Sequence, residues 1–158
     1  MKRCLALLAL VLAPALHAAT FRATVTWVVD GDTLRVRPAG SADTVTLRLL
    51  DLDAPEKCQA FGPQARELLR NRLGGKTVLV RTEGTDDYGR QLARVEYRGQ
   101  DVGRWLVRNG YAWSMRFHGR SGPYAPLEAL ARSEHKGLWG GADLIEPRRF
   151  RQLHGPCE

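Results

Sequence analysis

Three acids and an arginine crowd one short stretch of this chain, Arg48-Leu49-Leu50-Asp51-Leu52-Asp53-Ala54-Pro55-Glu56. A second acidic turn, Val29-Asp30-Gly31-Asp32-Thr33, precedes it, and Tyr88-Gly89-Arg90 follows it. Carboxylates in turns just past strand ends suit a hard cation, which takes oxygen ligands in flexible geometry. Asp32 and Asp53, with the backbone carbonyl of Ala54, supply such a set. Glu56 stands three residues past Asp53, where a carboxylate beside a metal can orient or deprotonate a water. Arg48 and Arg90 add guanidinium forks that match phosphate oxygens and stay charged at any working pH. Together these types and spacings point to a hard metal ion facing a phosphate ester. Each motif alone has a plainer reading: Asp-Gly-Asp favours a turn, and single arginines are common on a basic surface. Their company carries the argument.

Other chemistries find no support. The downstream glycine and glutamate of an EF-hand loop are missing after Asp51-Leu52-Asp53. Gly119-Arg120-Ser121-Gly122 lacks the spacing of a nucleophile elbow, and no glycine-rich loop ends in Lys-Ser/Thr. The cysteines and histidines have no zinc-site spacing.

The bulk properties frame the site. The chain has 158 residues, 44% of them apolar, which is long enough to bury a core and too apolar for disorder. Met1-Lys2-Arg3, an apolar run from Leu5 to Leu16, and small residues at Ala18-Ala19 read as an export leader over residues 1–18, too short to span a bilayer. Residues 19–158 then form one domain, with a tail from about residue 141. Without Lys2 and Arg3 the mature chain keeps 22 basic against 17 acidic residues, a net charge of +5. Nucleic acid, anionic lipid and acidic glycan all remain partners for such a charge. Export also leaves Cys58 and Cys157 in an oxidising compartment, where an even pair favours a disulfide.

The elements that must position these residues are short. Alternation marks strands over Thr20–Val29, Leu34–Val36, Thr44–Leu50, Lys76–Thr82 and Gln91–Tyr97. In the third, Val45, Leu47 and Leu49 share one face and Arg48 takes the other. Gly62-Pro63 opens a helix with Ala65, Leu68, Leu69 and Leu73 on its apolar face. Asp101 caps a second helix that ends before Gly110, and Leu127, Leu130 and Ala131 mark a third, stopped at Gly137. Beyond Trp139 no period is visible, although Arg148, Arg149 and Arg151 lie there. Five strands with about three α-helices predict an α+β fold, a five-stranded β-barrel of the oligonucleotide-binding type carrying packed helices. Trp113, Phe117 and Tyr124 follow the second helix among Arg116, His118 and Arg120. Aromatics so placed either stack on bases or fill the core.

Val29-Asp30-Gly31-Asp32-Thr33, then Leu47-Arg48-Leu49-Leu50 leading to Asp53-Ala54-Pro55-Glu56, then Asp87-Tyr88-Gly89-Arg90, resemble the staphylococcal nuclease (thermonuclease) family in motif and in order. Val102 to Gly110 resembles the family's second helix, and Leu127-Glu128-Ala129 through Lys136-Gly137-Leu138-Trp139 its last helix and stop. The resemblance runs from Thr20 to Gly140. It implies an oligonucleotide-binding barrel and Ca²⁺-dependent cleavage of DNA and RNA with little sequence preference, leaving 3′-phosphate and 5′-hydroxyl ends. It places Asp32, Asp53 and the Ala54 carbonyl as calcium ligands, Glu56 as general base, and Arg48 and Arg90 as the phosphate-gripping catalytic arginines.

Some positions depart from the family pattern. Ala54 stands where threonine is usual, and Asp87 where a lysine often precedes Tyr-Gly-Arg. The family's tyrosine pair after the second helix has no clean counterpart, which leaves Trp113, Phe117 and Tyr124 as the stacking candidates. The cysteines are outside the pattern, and a Cys58–Cys157 bridge would tether the tail beside Glu56. The competing expectation is a catalytically weak or inactive nucleic-acid-binding module of the same barrel. Retention of Asp32, Arg48, Asp53, Glu56 and Arg90 favours the enzyme, expected as an exported monomer, free of the membrane once its leader is removed, in the periplasm or outside the cell.

Overall fold

Alternating apolar residues build the first hairpins. Strand β1 (Thr20–Val28) turns at Asp30-Gly31-Asp32 into the antiparallel β2 (Thr33–Pro38), and β3 (Val45–Leu49) returns along β2. A two-residue strand, β4 (Leu52–Asp53), follows immediately, and then helix α1 (Gly62–Leu73). Strands β5 (Thr77–Thr85) and β6 (Gln91–Tyr97) form the next hairpin, with β5 also antiparallel to β1. A parallel pairing of β3 with β6 closes the ring. This computed structural model describes residues 19–117, 119–141, 144–155 and 157; the expected leader over residues 1–18 lies outside them. Among the described residues no helix is long and apolar enough to cross a membrane.

Closure gives the five-stranded mixed barrel expected of an α+β chain. Val25, Leu34, Val36, Leu47 and Val80 fill its interior, with Leu69 and Leu73 of α1 packed into the same core. Strand β7 (Gln100–Asp101) extends the sheet beside β6 and leads into α2 (Val102–Arg108). As expected, Asp101 caps α2: its carboxylate accepts from the Arg104 amide at 2.8 Å. Strand β8 (Trp113–Ser114) pairs with β4, and β9 (Arg116–Phe117) with β10 (Arg120–Ser121). Helix α3 (Ala125–Ser133), a short 3₁₀ turn (Gly137–Gly140) and helix α4 (Pro147–His154) complete the described chain.

Three features differ from the periodicity. In β1 the register shifts between Val25 and Trp27, a bulge that puts Val28 in the core and leaves Trp27 53% exposed. One extra residue reverses the facing of everything after it. The two-residue strands β4 and β8 are too short to show alternation. Helix α4 occupies the supposedly irregular tail. It spans eight residues, in which two large apolar side chains, Phe150 and Leu153, are too few for a period to stand out among three arginines.

A disulfide between Cys58 and Cys157, with Cα atoms 5.7 Å apart, joins the loop before α1 to the end of the chain. It closes a loop across a sequence separation of 99 residues. Replacing both cysteines by serine is expected to lower unfolding free energy by about 2–4 kcal/mol. Urea titration of the oxidised protein and the double variant checks this; coincident midpoints would show the bridge contributes nothing.

Candidate active site

The acidic turns reach one another because small residues let them. A Cβ on Gly31 would lie 2.7 Å from the Ala54 Cβ and 3.2 Å from the Ala65 Cβ, so only glycine lets the β1–β2 turn pack against α1 and Ala54. The turn is pinned on both sides: Asp32 N–H donates to Asp30 Oδ1 at 3.1 Å, and Leu49 N–H donates to the Asp32 carbonyl at 2.9 Å. Across the gap, Ala54 N–H donates to Asp32 Oδ2 at 2.8 Å. Ala54 thus meets Asp32 through its amide, whatever its carbonyl does.

Arg48 leaves β3 on the face opposite Leu47 and Leu49, as alternation requires, yet it is 8% exposed. It is buried because it is paired. Its guanidinium forms salt bridges with both Asp32 and Asp53, the latter at 2.8 Å. Burial alone would make this arginine easier to deprotonate; the two carboxylates outweigh that and push it the other way. Burial pushes the Asp53 carboxyl up, against the hydrogen bonds it accepts from Arg151. Burial and the neighbouring Asp32 push Asp30 up to about 7. The centre therefore holds more buried carboxylate than Arg48 alone neutralises.

Arg151, on α4, supplies a second guanidinium. It donates to Glu56 Oε1 at 2.5 Å and to both oxygens of Asp53 at 3.0 and 3.2 Å. The tail is held there by the disulfide and by Gln59, a 5% exposed residue whose side-chain amide donates to the Ile145 carbonyl at 2.6 Å. Gln59 also accepts from the Glu56 amide at 3.2 Å, so it couples the Glu56 loop to the segment before α4. Periodicity gave no sign of Arg151. The usable signal was the cysteine pair, with Cys58 two residues past Glu56 and Cys157 six past Arg151.

Arg90 sits on the far wall. Asp86 orients it, accepting from Arg90 Nε at 2.8 Å and from its backbone amide at 2.9 Å. Burial raises the Asp86 carboxyl, but these hydrogen bonds outweigh it and hold Asp86 below its ordinary value. The Arg90 guanidinium lies 5.4 Å from the ring centre of Tyr88, which is 85% exposed. Asp87, the departure noted in the sequence, is exposed, while Asp86 carries the orienting contact.

These residues share one cleft of about 770 Å³, lined by Asp32, Arg48, Glu56, Tyr88, Arg90 and Arg151 among others. Asp53 adjoins it through Arg48 and Arg151. Asp51, without a role on sequence grounds, takes a left-handed conformation (φ 64°) and pairs with Arg94. Arg94 in turn donates to the Tyr124 hydroxyl at 3.3 Å, and that hydroxyl donates to the Asp101 carboxylate at 3.0 Å. Asp51 is an anchor for the turn.

Two stacking candidates need correction. Tyr124 is 7% exposed and committed to that network. Trp113 is 5% exposed, edge-on to Trp139 at 5.2 Å, with its backbone paired to Asp53. Neither presents a face for a base: the Tyr124 hydroxyl is held by Arg94 and Asp101 beside Gly103, and Trp113 packs on Trp139 of the 3₁₀ turn. Phe117 is 51% exposed at the cleft rim.

Residues 46–141 match the protein family described as Staphylococcal nuclease homologue. The chain belongs to the staphylococcal nuclease family. It is 36% identical to Protein ParB of Escherichia coli over 96% of this chain and 91% of that protein. It is 34% identical to a Micrococcal nuclease of Shigella flexneri over 85% of this chain and 82% of that protein. An Uncharacterized endonuclease of Haemophilus influenzae is 34% identical over 79% of this chain and 70% of its own length.

Among the described residues no group of three or more His, Cys, Asp or Glu side chains converges as a metal cage. The expected set is smaller, two carboxylates and a carbonyl. Its fit is chemical: the side-chain donors are carboxylate oxygens, and arginine charge already lies against both acids, where the charge of a hard cation would compensate them. Removing Arg48 without replacing its charge leaves buried carboxylates uncompensated, which costs about 3–5 kcal/mol. Arg48→Met should therefore destabilise strongly in chelator, and Asp53→Asn in that background should restore part of the loss. Denaturant titration of the two variants reads this out, and full stability in Arg48→Met would contradict it.

Proposed function

We propose that this member of the nuclease family is a calcium-dependent phosphodiesterase that hydrolyses DNA and RNA with little sequence preference, giving 3′-phosphate and 5′-hydroxyl ends. The observation that carries the reading is the convergence of Asp32, Arg48, Glu56 and Arg90 on one cleft, with Asp53 joined to it. The names of the Shigella flexneri and Haemophilus influenzae relatives add support.

In this reading Asp32, Asp53 and the Ala54 carbonyl would hold Ca²⁺. Bound there, the ion would supply Lewis-acid charge to a phosphate oxygen. Glu56 accepts a proton from the attacking water. The water oxygen bonds to phosphorus as the bond from phosphorus to O5′ breaks; O5′ leaves with a proton taken from solvent as the 5′-hydroxyl, and the phosphate stays on the 3′ oxygen. Arg48 and Arg90 neutralise charge on the non-bridging oxygens as it develops. Asp86 keeps the Arg90 fork aimed into the cleft, which lowers the ordering cost at the moment of reaction. The enzyme works as an exported monomer, in the periplasm or outside the cell, after loss of its leader.

One observation favours a second reading, a module that binds without cleaving: Arg151 contacts both Asp53 and Glu56. A cleavage assay separates the two. Plasmid DNA and RNA should be cut in calcium and left intact in chelator. Arg90→Ala should lower kcat/KM by on the order of 10²–10³, and Glu56→Gln by on the order of 10²–10⁴. Binding without calcium-dependent cleavage in the wild type would favour the module.

A further inference from the structure

A second groove of about 630 Å³ runs alongside the candidate active cleft. Met115, Phe117 and Arg151 line both, so the two are continuous across a shared ridge. One wall of the second groove is β9, with Arg116 and Phe117; the other is the start of α4, with Pro147 and Arg148. Helix α4 lies beyond residue 141, where the family match ends.

The charges in this groove differ in kind from those of the cleft. Arg48, Arg90 and Arg151 are each committed to carboxylates. Among the described residues no ion pair engages Arg116 or Arg148, and both are exposed. Two acids also line the groove. Asp53 is neutralised by Arg48 and Arg151, which leaves Glu146 facing the two open guanidinium groups. Phe117, half exposed between the two hollows, offers a flat apolar face. Open guanidinium groups flanking an exposed aromatic ring are what a single-stranded polynucleotide requires: forks for phosphates and a platform for a base of any sequence.

We propose that this groove is an extended subsite that carries the strand flanking the scissile phosphate, with Arg116 and Arg148 on successive phosphates and Phe117 stacked on a base. It rests on the nuclease reading and deepens it, for it makes the C-terminal helix part of the substrate track. The disulfide and the Gln59–Ile145 hydrogen bond hold that wall in place. The track therefore exists in the oxidised chain.

Equilibrium binding by fluorescence anisotropy tests this with the Glu56→Gln full-length protein in calcium. Labelled oligothymidylates and oligouridylates of about 4 and about 16 nucleotides span the range of site sizes of such barrels. Affinity should rise from the shorter to the longer strand. Phe117→Ala should weaken the longer strand by roughly 5- to 150-fold. Arg116→Ala and Arg148→Ala together should remove most of the gain with length, and each should lower the slope of log affinity against log salt by about 0.7. The Cys58→Ser, Cys157→Ser variant should lose the gain as well. Arg116, Phe117 and Arg148 are exposed, and a urea titration of each variant verifies folding.

A gain with length that persists undiminished in the arginine pair, with the wild type still cleaving plasmid in calcium, overturns the groove and leaves the nuclease reading standing. A wild type that neither binds nor cleaves sinks both. Loss of the gain with oligothymidylate alone or oligouridylate alone assigns the track to DNA or RNA, respectively.

Discussion

The buried guanidinium of Arg48 is the contact on which the site depends. It joins the β1–β2 turn, strand β3 and strand β4 through Asp32 and Asp53, adding charge pairing to the hydrogen bonds that Leu49 and Ala54 donate to Asp32. An arginine 8% exposed is tolerable only because its charge is matched. The reverse also holds: two buried acids on neighbouring turns would separate or bind protons without it. The geometry proposed for catalysis is thus a consequence of how three loops solve a burial problem. Gly31 sets the distance at which that solution is possible, since any side chain there would push Asp32 away from Ala54.

The C-terminal segment completes what the barrel leaves open. The Glu56 loop runs from β4 to α1 with little regular structure, and a Cβ at Gly62 would lie 1.8 Å from the Glu56 carbonyl, so the start of α1 presses closely on it. A loop of this kind is defined by what packs over it. Gln59, the Cys58–Cys157 bridge and Arg151 tie it to the segment around α4 at three points. This places the far end of the chain beside the Glu56 loop, a tertiary contact spanning a sequence separation of 99 residues.

Where the site was legible in the sequence, local rules dominated. Arg48 faces away from Leu47 and Leu49 because a strand alternates, and Asp30-Gly31-Asp32 forms a turn because those residues favour one. Five strands could be placed because each is long enough to show its period. The misreadings fall where a tertiary contact overrides the local pattern. The bulge in β1 inverts the facing of Trp27. Trp113 and Tyr124 look like any aromatic beside arginines until Trp139 packs on the first and Asp101 binds the hydroxyl of the second. Asp51 has no role in the sequence, and only its pairing with Arg94 supplies one. Arg151 reads as one arginine in a basic tail, and only a short helix held by a long-range bridge brings it to Glu56.

The distribution of charge resolves an apparent contradiction in a site meant for a polyanion. Its centre is acidic, with Asp30, Asp32, Asp53 and Glu56 close together. Bare carboxylates would repel a phosphate backbone at the distances over which substrates are captured. The innermost arginines cancel that field at short range by direct pairing, so they contribute little to attraction from afar. Attraction falls to arginines that no ion pair among the described residues engages, Arg116 and Arg148 on the groove among them. Paired arginines organise the centre, while open ones at the margin meet the strand. On that division of labour, the net positive charge of the chain matters less than where its unpaired share lies.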